Sequence, residues 1–183
     1  KFNSTINIGF LGRLNQNKGI EDLIDSLNSL EIDFKFKIGG FGSETYIQFL
    51  KEKMNKNVQD KSTFLGYVED QSKYFESIDL FVFPSFSEGL GLVLLEAMSY
   101  QKICITRNVE PMNKFINYEN GYLFNNIDEL MNCILEASQD LNNKDIYLKK
   151  IENTKKVLET YDIENVFPKI LEVYKLWVSI DFN

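Results

Sequence analysis

Histidine is absent from the sequence, and cysteine and proline are scarce, with two and three residues. The absence of histidine excludes a histidine general base and argues against a zinc site. Cys104 and Cys133 lack Cys-x-x-Cys spacing and lie in apolar or helical patterns, which predicts reduced, buried thiols, as in cytoplasmic proteins. No run of about 18 apolar residues occurs, so the sequence predicts no transmembrane segment.

The sequence does contain enough apolar residues for one folded domain. Its 183 residues are 44% hydrophobic and include 15 Phe and 9 Tyr, which suits a single α/β domain with a core of its own. The formal net charge of −7 repels nucleic acid, so no nucleic-acid partner is expected. A local basic pocket for one diphosphate is compatible with this charge.

Apolar runs typical of strands alternate with segments of helical periodicity over residues 1–126. The predicted strands are 6–11, 34–38, 63–65, 79–83, 102–105 and 121–124, and the predicted helices between them are 19–30, 43–56, 70–77 and 91–100. This alternation predicts an α/β fold with a doubly wound parallel sheet, and the apolar run 79–83 is typical of its centre. Residues 127–183 are predicted to add three helices, at 127–141, 145–161 and 163–177, to this single domain.

The loop after the first strand carries the first candidate site. Ligands bind at the carboxyl ends of the strands in open α/β sheets. Gly12 permits a tight turn there, Arg13 can grip phosphate oxygens with two hydrogen bonds, and Lys18 adds a positive charge. The helix that begins near Gly19 directs its positive end to the same place. An ordinary polar β–α loop is the alternative interpretation.

Two further strand ends carry weaker signals. Gly40, in the run Gly-Gly-Phe-Gly at 39–42, favours a close approach of the backbone to a ligand, although a plain turn explains it as well. The run Gly-Tyr-Val-Glu-Asp at 66–70 contains Val68 and Asp70, and here the alternative is an acidic residue that serves the start of the next helix.

The strongest signal is the segment at 84–98, after the most apolar strand. Gly89 and Gly91 leave backbone N–H groups at a helix start free to face an anion. Glu88 stands at the mouth of this segment, and Glu96 lies within the helix among apolar neighbours. Burying an unpaired carboxylate costs several kcal/mol, so Glu96 calls for a partner, and two vicinal hydroxyls would serve. The alternative is a satisfied core carboxylate together with a helix-capping one.

These segments together resemble retaining glycosyltransferases of the GT-B fold, the large family 4. Glu88 and Glu96 have the spacing of that family's E-x7-E signature, within Ser-Glu-Gly-Leu-Gly-Leu-Val-Leu-Leu-Glu-Ala-Met. The family's order is also followed by Gly-Arg-Leu and Lys-Gly near the start, the glycine turn at 39–42, Phe-Leu-Gly-Tyr-Val at 64–68 and Asn-Gly-Tyr-Leu-Phe at 120–124. The resemblance covers nearly the whole chain.

The resemblance also implies a role for each candidate residue. Arg13 and Lys18 would bind the donor diphosphate and assist its departure, Glu96 would bind the ribose hydroxyls, and Glu88 would face the transferred sugar. Val68, with Asp70 near it, would line the base pocket. The backbone of the remaining candidates would approach the donor, and these are Gly12, Gly40, Gly89, Leu90, Gly91 and Leu92.

The implied reaction is transfer of a sugar from a nucleoside-diphosphate sugar, with retained anomeric configuration and with neither a metal nor a further cofactor. The acceptor, a glycan or a lipid-linked glycan, would be bound by an amino-terminal domain that this chain lacks. A cytoplasmic location follows, with a peripheral position at the inner membrane as an option for the full-length protein. Two alternatives stay open, a non-catalytic nucleotide-sugar-binding module and a GT-B-like epimerase, and the lack of histidine argues against the second.

One segment departs from the family pattern. The family usually has a Gly-Gly pair and a glutamate before its Asn-Gly motif, whereas this chain has Val-Glu-Pro-Met-Asn-Lys at 109–114. The loop on the donor-sugar side is therefore expected to be altered.

Overall fold

A parallel six-stranded sheet forms the centre of the computed structural model, which describes residues 5–162 and 164–166. The strands are β1 (Ile6–Leu11), β2 (Phe34–Gly39), β3 (Ser62–Gly66), β4 (Leu80–Phe83), β5 (Ile103–Arg107) and β6 (Gly121–Phe124). Their order across the sheet is β3-β2-β1-β4-β5-β6. The chain winds outward in one direction from β1 and in the other from β4, so the switch point lies between these two strands.

Helices cover both faces of this sheet. They are α1 (Ile20–Asn28), α2 (Glu44–Lys53), α3 (Lys56–Lys61), α4 (Gln71–Glu76), α5 (Leu92–Ser99), α6 (Met112–Phe115), α7 (Ile127–Leu141) and α8 (Lys144–Tyr161). One buried cluster joins the sheet to α1, α2, α3 and α7, and a second joins it to α4, α5 and α6. The predicted doubly wound α/β fold is confirmed.

Strand β4 lies in the middle of the sheet, as its composition predicts. All four of its residues, Leu-Phe-Val-Phe, are buried, and it pairs in parallel with β1 on one side and β5 on the other. A parallel strand covered on both faces has no side that can be polar, which explains the uninterrupted apolar run. The loops that follow β1 and β4 therefore start from the buried centre of the sheet.

The structure differs from the predicted elements in two places. The predicted helix 43–56 ends earlier, at Lys53, and an unpredicted helix, α3, follows it, because the Asn55 side chain accepts a hydrogen bond from the Val58 N–H and caps a new start. The short helix α6 lies in the stretch 109–114 that departs from the family pattern, and it was not predicted. The predicted third tail helix, 163–177, falls almost wholly outside the described residues, as do its aromatic residues Phe167, Tyr174 and Trp177.

The two cysteines are free and buried, as predicted. Burial raises the pKa of the Cys133 thiol to about 11 and raises the pKa of the Cys104 thiol further. Among the helices in the described part of the chain, none combines the length and the apolar character needed to span a membrane.

Candidate functional site

The loops after β1 and β4 are joined by hydrogen bonds at the carboxyl edge of the sheet. The Asn17 carbonyl accepts from the Phe86 N–H at 2.9 Å and from the Ser85 hydroxyl at 3.3 Å, while the Asn17 amide donates to the Ser87 carbonyl at 3.2 Å. Two segments far apart in the sequence thus form one surface at the switch point. This is the position at which open α/β sheets bind their ligands.

Lys18 and Glu88, predicted separately on these two loops, form an ion pair. The Lys18 ammonium lies 2.5 Å from Glu88 Oε1, and the Ser85 hydroxyl donates to the same oxygen, also at 2.5 Å. The two charged side chains keep only 21% and 12% of their exposure, so solvent screens them weakly. The ammonium also lies 6.0 Å from the centre of the Phe83 ring. Contacts within the chain therefore hold Lys18 and Glu88 in place.

Gly19 allows the two loops to approach each other closely. Its φ is +65°, and a Cβ on this residue would lie 2.1 Å from the Pro84 carbonyl oxygen. No side chain fits there, and the left-handed conformation favours glycine in any case. Gly19 also caps the start of α1 and ends the single 3-10 turn Gln16–Lys18 that carries the lysine.

Gly40 joins a third loop to this surface. Its φ is +123°, and a Cβ would lie 1.7 Å from the Gly12 carbonyl oxygen. The backbone of Gly12 donates to Gly39 at 3.1 Å, and that of Gly40 donates to Gly66 at 2.7 Å. The close approach that the sequence indicates at Gly40 is thus an approach to the β1 loop, and it fixes where that loop lies.

The start of α5 brings the second glycine motif to the same edge. Gly91 caps the helix with a φ of +71°, whereas a Cβ on Gly89 would meet no atom within 4 Å. Leu90 and Leu92 stand with half or more of their surface exposed, at 50% and 64%. The N-terminus of α5 is therefore open to solvent beside the Lys18–Glu88 pair.

Glu96 lies one turn into α5 and is half-buried. Burial raises the pKa of its carboxyl group. Within the described residues, no side chain or backbone donor forms a hydrogen bond with this carboxylate, although the backbone carbonyl of Glu96 accepts from Ser99. The Glu96 carboxylate oxygens are not among the buried side-chain atoms that lack a partner, so water reaches them, and the partner that the sequence suggests for Glu96 stays a prediction.

Arg13 is exposed at the lip of an open cleft of about 570 Å³. This cleft lies between the β1 and β2 loops, and its other lining residues include Asn15, Phe41 and Tyr46. Asn15 Oδ1 is buried and has no hydrogen-bond partner in the described part of the chain. Arg13 forms no ion pair within the described residues, and no contact there joins it to the Lys18–Glu88 pair.

Val68 and Asp70 follow β3, where Val68 packs against the end of β2 and Asp70 caps α4. Val68 is half-buried and lies close to Gly39, where an added Cβ would be 2.8 Å from its methyl group. Asp70 caps α4: its carboxylate accepts from the Lys73 N–H at 3.1 Å, and the Lys73 and Ser72 side chains hold its pKa well below the usual range. This is the helix-start role that the sequence left open for Asp70.

Three residues that hold this site together were not among the predicted ones. Ser85 donates a hydrogen bond to Glu88, and Asn17 joins the β1 and β4 loops. Arg107, at the end of β5, donates to the Pro84 carbonyl where the β4 loop begins and pairs with Asp22 in the first turn of α1. The only sequence signal for Arg107 is a charged residue two positions after the apolar run Ile-Cys-Ile at 103–105.

The sheet order, the hydrogen-bonded β1 and β4 loops and the helix α5, which Gly91 caps, define a Rossmann-like domain of the kind found in GT-B glycosyltransferases. The sequence model of the family described as "Glycosyl transferases group 1" matches residues 5–140, and the chain belongs to this family.

Named relatives agree with this assignment. An uncharacterized glycosyltransferase of Haemophilus influenzae is 32% identical over 148 residues, which are 78% of this chain and 39% of the relative. A UDP-Gal:alpha-D-GlcNAc-diphosphoundecaprenol alpha-1,3-galactosyltransferase of Escherichia coli is 30% identical over 152 residues, covering 80% of this chain and 38% of the relative. The chain thus spans well under half the length of these two relatives.

Solved structures share the fold. The Anabaena protein HepE in complex with UDP superposes with a TM-score of 0.82 at 21% identity, over 93% of this chain and 49% of that one. A glycosyltransferase from Rickettsia africae superposes with a TM-score of 0.83 at 22% identity, over 94% and 48%. At these identities the likeness defines the fold and no more.

Proposed function

We propose that this chain is the donor-binding domain of a retaining glycosyltransferase of family 4, which transfers a sugar from a nucleoside-diphosphate sugar to a glycan or glycolipid acceptor. The observation that carries the proposal is the Lys18–Glu88 ion pair, which places two separately predicted motifs on one surface at the switch point. The E. coli relative is named for a UDP-sugar donor and the Anabaena neighbour holds UDP, which supports a nucleoside-diphosphate sugar as the donor class.

The proposed division of labour follows the positions of the charged groups. Lys18, from the β1 loop, and the exposed Arg13 supply two positive charges for the diphosphate, beside the open N-terminus of α5. These charges would stabilise the nucleoside diphosphate as it leaves, the step at which negative charge develops. No divalent metal is needed for that step in this proposal, because the two cations offset the diphosphate directly.

The two carboxylates take different tasks. Glu96 accepts hydrogen bonds from the ribose hydroxyls, which supply the partner that its half-buried carboxylate lacks in the described residues. Glu88 holds the Lys18 ammonium in place with one carboxylate oxygen, and its second oxygen would face the transferred sugar. In this proposal a separate, amino-terminal domain would hold the acceptor. The two relatives are more than twice as long as the part that matches this chain, which supports a further domain.

Calorimetry on the chain with UDP, GDP and ADP and their sugars tests the proposal. We expect weak binding of at least one of these nucleotides and no sugar transfer by this chain alone. Repeating the titration with a chelator should change the affinity by less than about tenfold, or ~1.4 kcal/mol. Absence of binding at millimolar ligand would overturn the donor site, whereas a larger loss with chelator would overturn only the metal-independent mechanism.

A further inference from the structure

Arg107 is a buried cation at the carboxyl end of β5, the strand next to β4. It is 7% exposed, and its guanidinium uses each of its nitrogens. Nη2 forms an ion pair with the Asp22 carboxylate, Nε donates to the Pro84 carbonyl at 3.1 Å, and Nη1 lies 3.5 Å from the Asn125 carbonyl. A buried charge with this many partners has one orientation.

Two aromatic rings fix that orientation further. The guanidinium carbon lies 4.0 Å from the centre of the Phe86 ring and 4.9 Å from that of Phe124. Phe124 is fully buried in the core, while Phe86 remains 48% exposed on the β4 loop. The planar guanidinium of arginine stacks on aromatic faces and donates to several oxygen acceptors at once, whereas lysine can reproduce only the charge. Arg107 thus joins the exposed β4 loop, through Phe86, to the buried core, through Phe124.

The groups that Arg107 joins are the supports of the Lys18–Glu88 pair. Asp22 is in the first turn of α1, directly behind Gly19 and Lys18. The Pro84 carbonyl faces Gly19 on its other side, and Phe86 precedes Glu88 on the same loop. We propose that Arg107 is a positioning residue that sets the separation of Lys18 and Glu88 and thereby the site for the donor diphosphate.

The charge of Arg107 has a second consequence. Without it, the Asp22 carboxylate would stand unpaired at the N-terminus of α1, close to the place where a diphosphate is expected, and would repel it. The Pro84 carbonyl would also lose its donor, and the β4 loop could move. Both effects act on the diphosphate and leave the nucleoside end of a ligand largely untouched.

The inference rests on the proposed function, since it concerns the diphosphate part of the donor site. The test compares UDP with UMP by calorimetry on the chain and its variants, with melting temperature as the fold control. Arg107→Met should weaken UDP by about tenfold or more and UMP by less than about threefold. Arg107→Lys should fall between, because it keeps the charge and loses the stacking and the forked contacts. Adding Asp22→Asn to Arg107→Met should recover part of the UDP affinity.

Lys150 provides a matched control within the same fold. It is also 7% exposed, lies 3.6 Å from Asp140 and stacks 4.4 Å from the Tyr122 ring, but it binds the Tyr118 carbonyl at the opposite, amino end of β6. Lys150→Met should lower the melting temperature and leave the ratio of UDP to UMP affinity unchanged. An equal loss of UDP and UMP in Arg107→Lys, or the same ratio as in Lys150→Met, would overturn the inference.

A nucleotide-free measurement separates this inference from the proposed function. The coupling between Lys18→Met and Glu88→Gln, measured by urea unfolding as a double-mutant cycle, should shrink when the background carries Arg107→Lys. It should stay unchanged in Lys150→Met. If the wild-type chain binds no nucleotide but the coupling shrinks, the donor site is wrong and the positioning by Arg107 stands; an unchanged coupling overturns the positioning itself.

Discussion

Among single residues, Glu96 carries the clearest conflict between stability and binding. Burial raises the pKa of its carboxyl group, so the ionised form costs the folded state free energy at neutral pH. That cost disappears as the pH falls through the raised pKa toward the value of the unfolded chain, because the proton is then bound in both states. The proposed function assigns this residue a role in binding the donor, and that role can be tested separately from its effect on stability.

Glu96→Gln should therefore separate the two properties. We expect an equal or higher melting temperature at pH 7, with the difference from the wild type vanishing in acid. UDP affinity should fall about tenfold, because a neutral amide replaces a charged acceptor for the ribose hydroxyls. Melting curves across pH and calorimetry with UDP measure both; a variant that is less stable at pH 7 and binds UDP normally would make Glu96 a structural residue.

Glu88→Gln is the same substitution at the other carboxylate and should behave differently. The amide oxygen can still accept from Ser85 and Lys18, so UDP affinity should stay within about threefold of the wild type. Affinity for the matching UDP-sugar should fall further, since Glu88 would face the sugar. Four affinities decide the matter, and an equal loss for both ligands in both variants would contradict the division of labour.

Some residues of the candidate site can be predicted from the sequence, and Arg107 cannot. Lys18, Glu88 and Glu96 stand in local patterns whose spacing is visible along the chain, and all three prove to be half-buried. Arg107 is not predictable in this way, because its partner Asp22 lies 85 positions away and only the folded sheet brings the two together. The chemistry that a side chain offers can be read from its local motif. The segments that it connects depend on the order of the strands in the folded sheet.

Among the secondary-structure elements, substitution of Gly19 at the start of α1 and of Gly89 just before α5 should affect stability very differently. Gly19→Ala would place a Cβ 2.1 Å from the Pro84 carbonyl and force a left-handed φ on alanine, so the free energy of unfolding should fall by roughly 2–4 kcal/mol. Gly89→Ala adds its Cβ to open space, so the change should be within about 0.5 kcal/mol. Urea unfolding of the two variants gives the comparison.

A stable Gly19→Ala variant with normal UDP binding would show that the loops need not approach so closely. Gly89→Ala serves as the matched control for stability and as a probe of the ligand: if it unfolds normally yet binds UDP-sugar more weakly, the donor passes beside it.

Helix boundaries are harder to predict from the sequence than these glycines. The apolar residues Met54 and Val58 continue a helical spacing across Asn55, so the pattern alone does not reveal the break that the Asn55 cap makes.

For the whole molecule, the alternation of elements determines the class of the fold but not its switch point. Six predicted strands are compatible with several orders in a parallel sheet. The observed order, with β1 beside β4, decides which loops share an edge. The apolar run of β4 predicts a central strand, but nothing in the local sequence names β1 as its neighbour, because that choice is settled by packing on both faces at once.

The Lys18–Glu88 pair means that the candidate site contains its own counter-ion. A diphosphate arriving here shares the ammonium with a resident carboxylate, as on an ion exchanger, and does not enter a bare cationic hollow. The pair is neutral as seen from a distance, so it attracts anions weakly over long range and loses little when salt is added. Raising the potassium chloride concentration should accordingly weaken UDP binding less in the wild-type chain than in Glu88→Gln, in which the Lys18 ammonium has lost its counter-ion. Calorimetry with UDP at low and high salt measures the two slopes, and equal slopes would contradict the prediction.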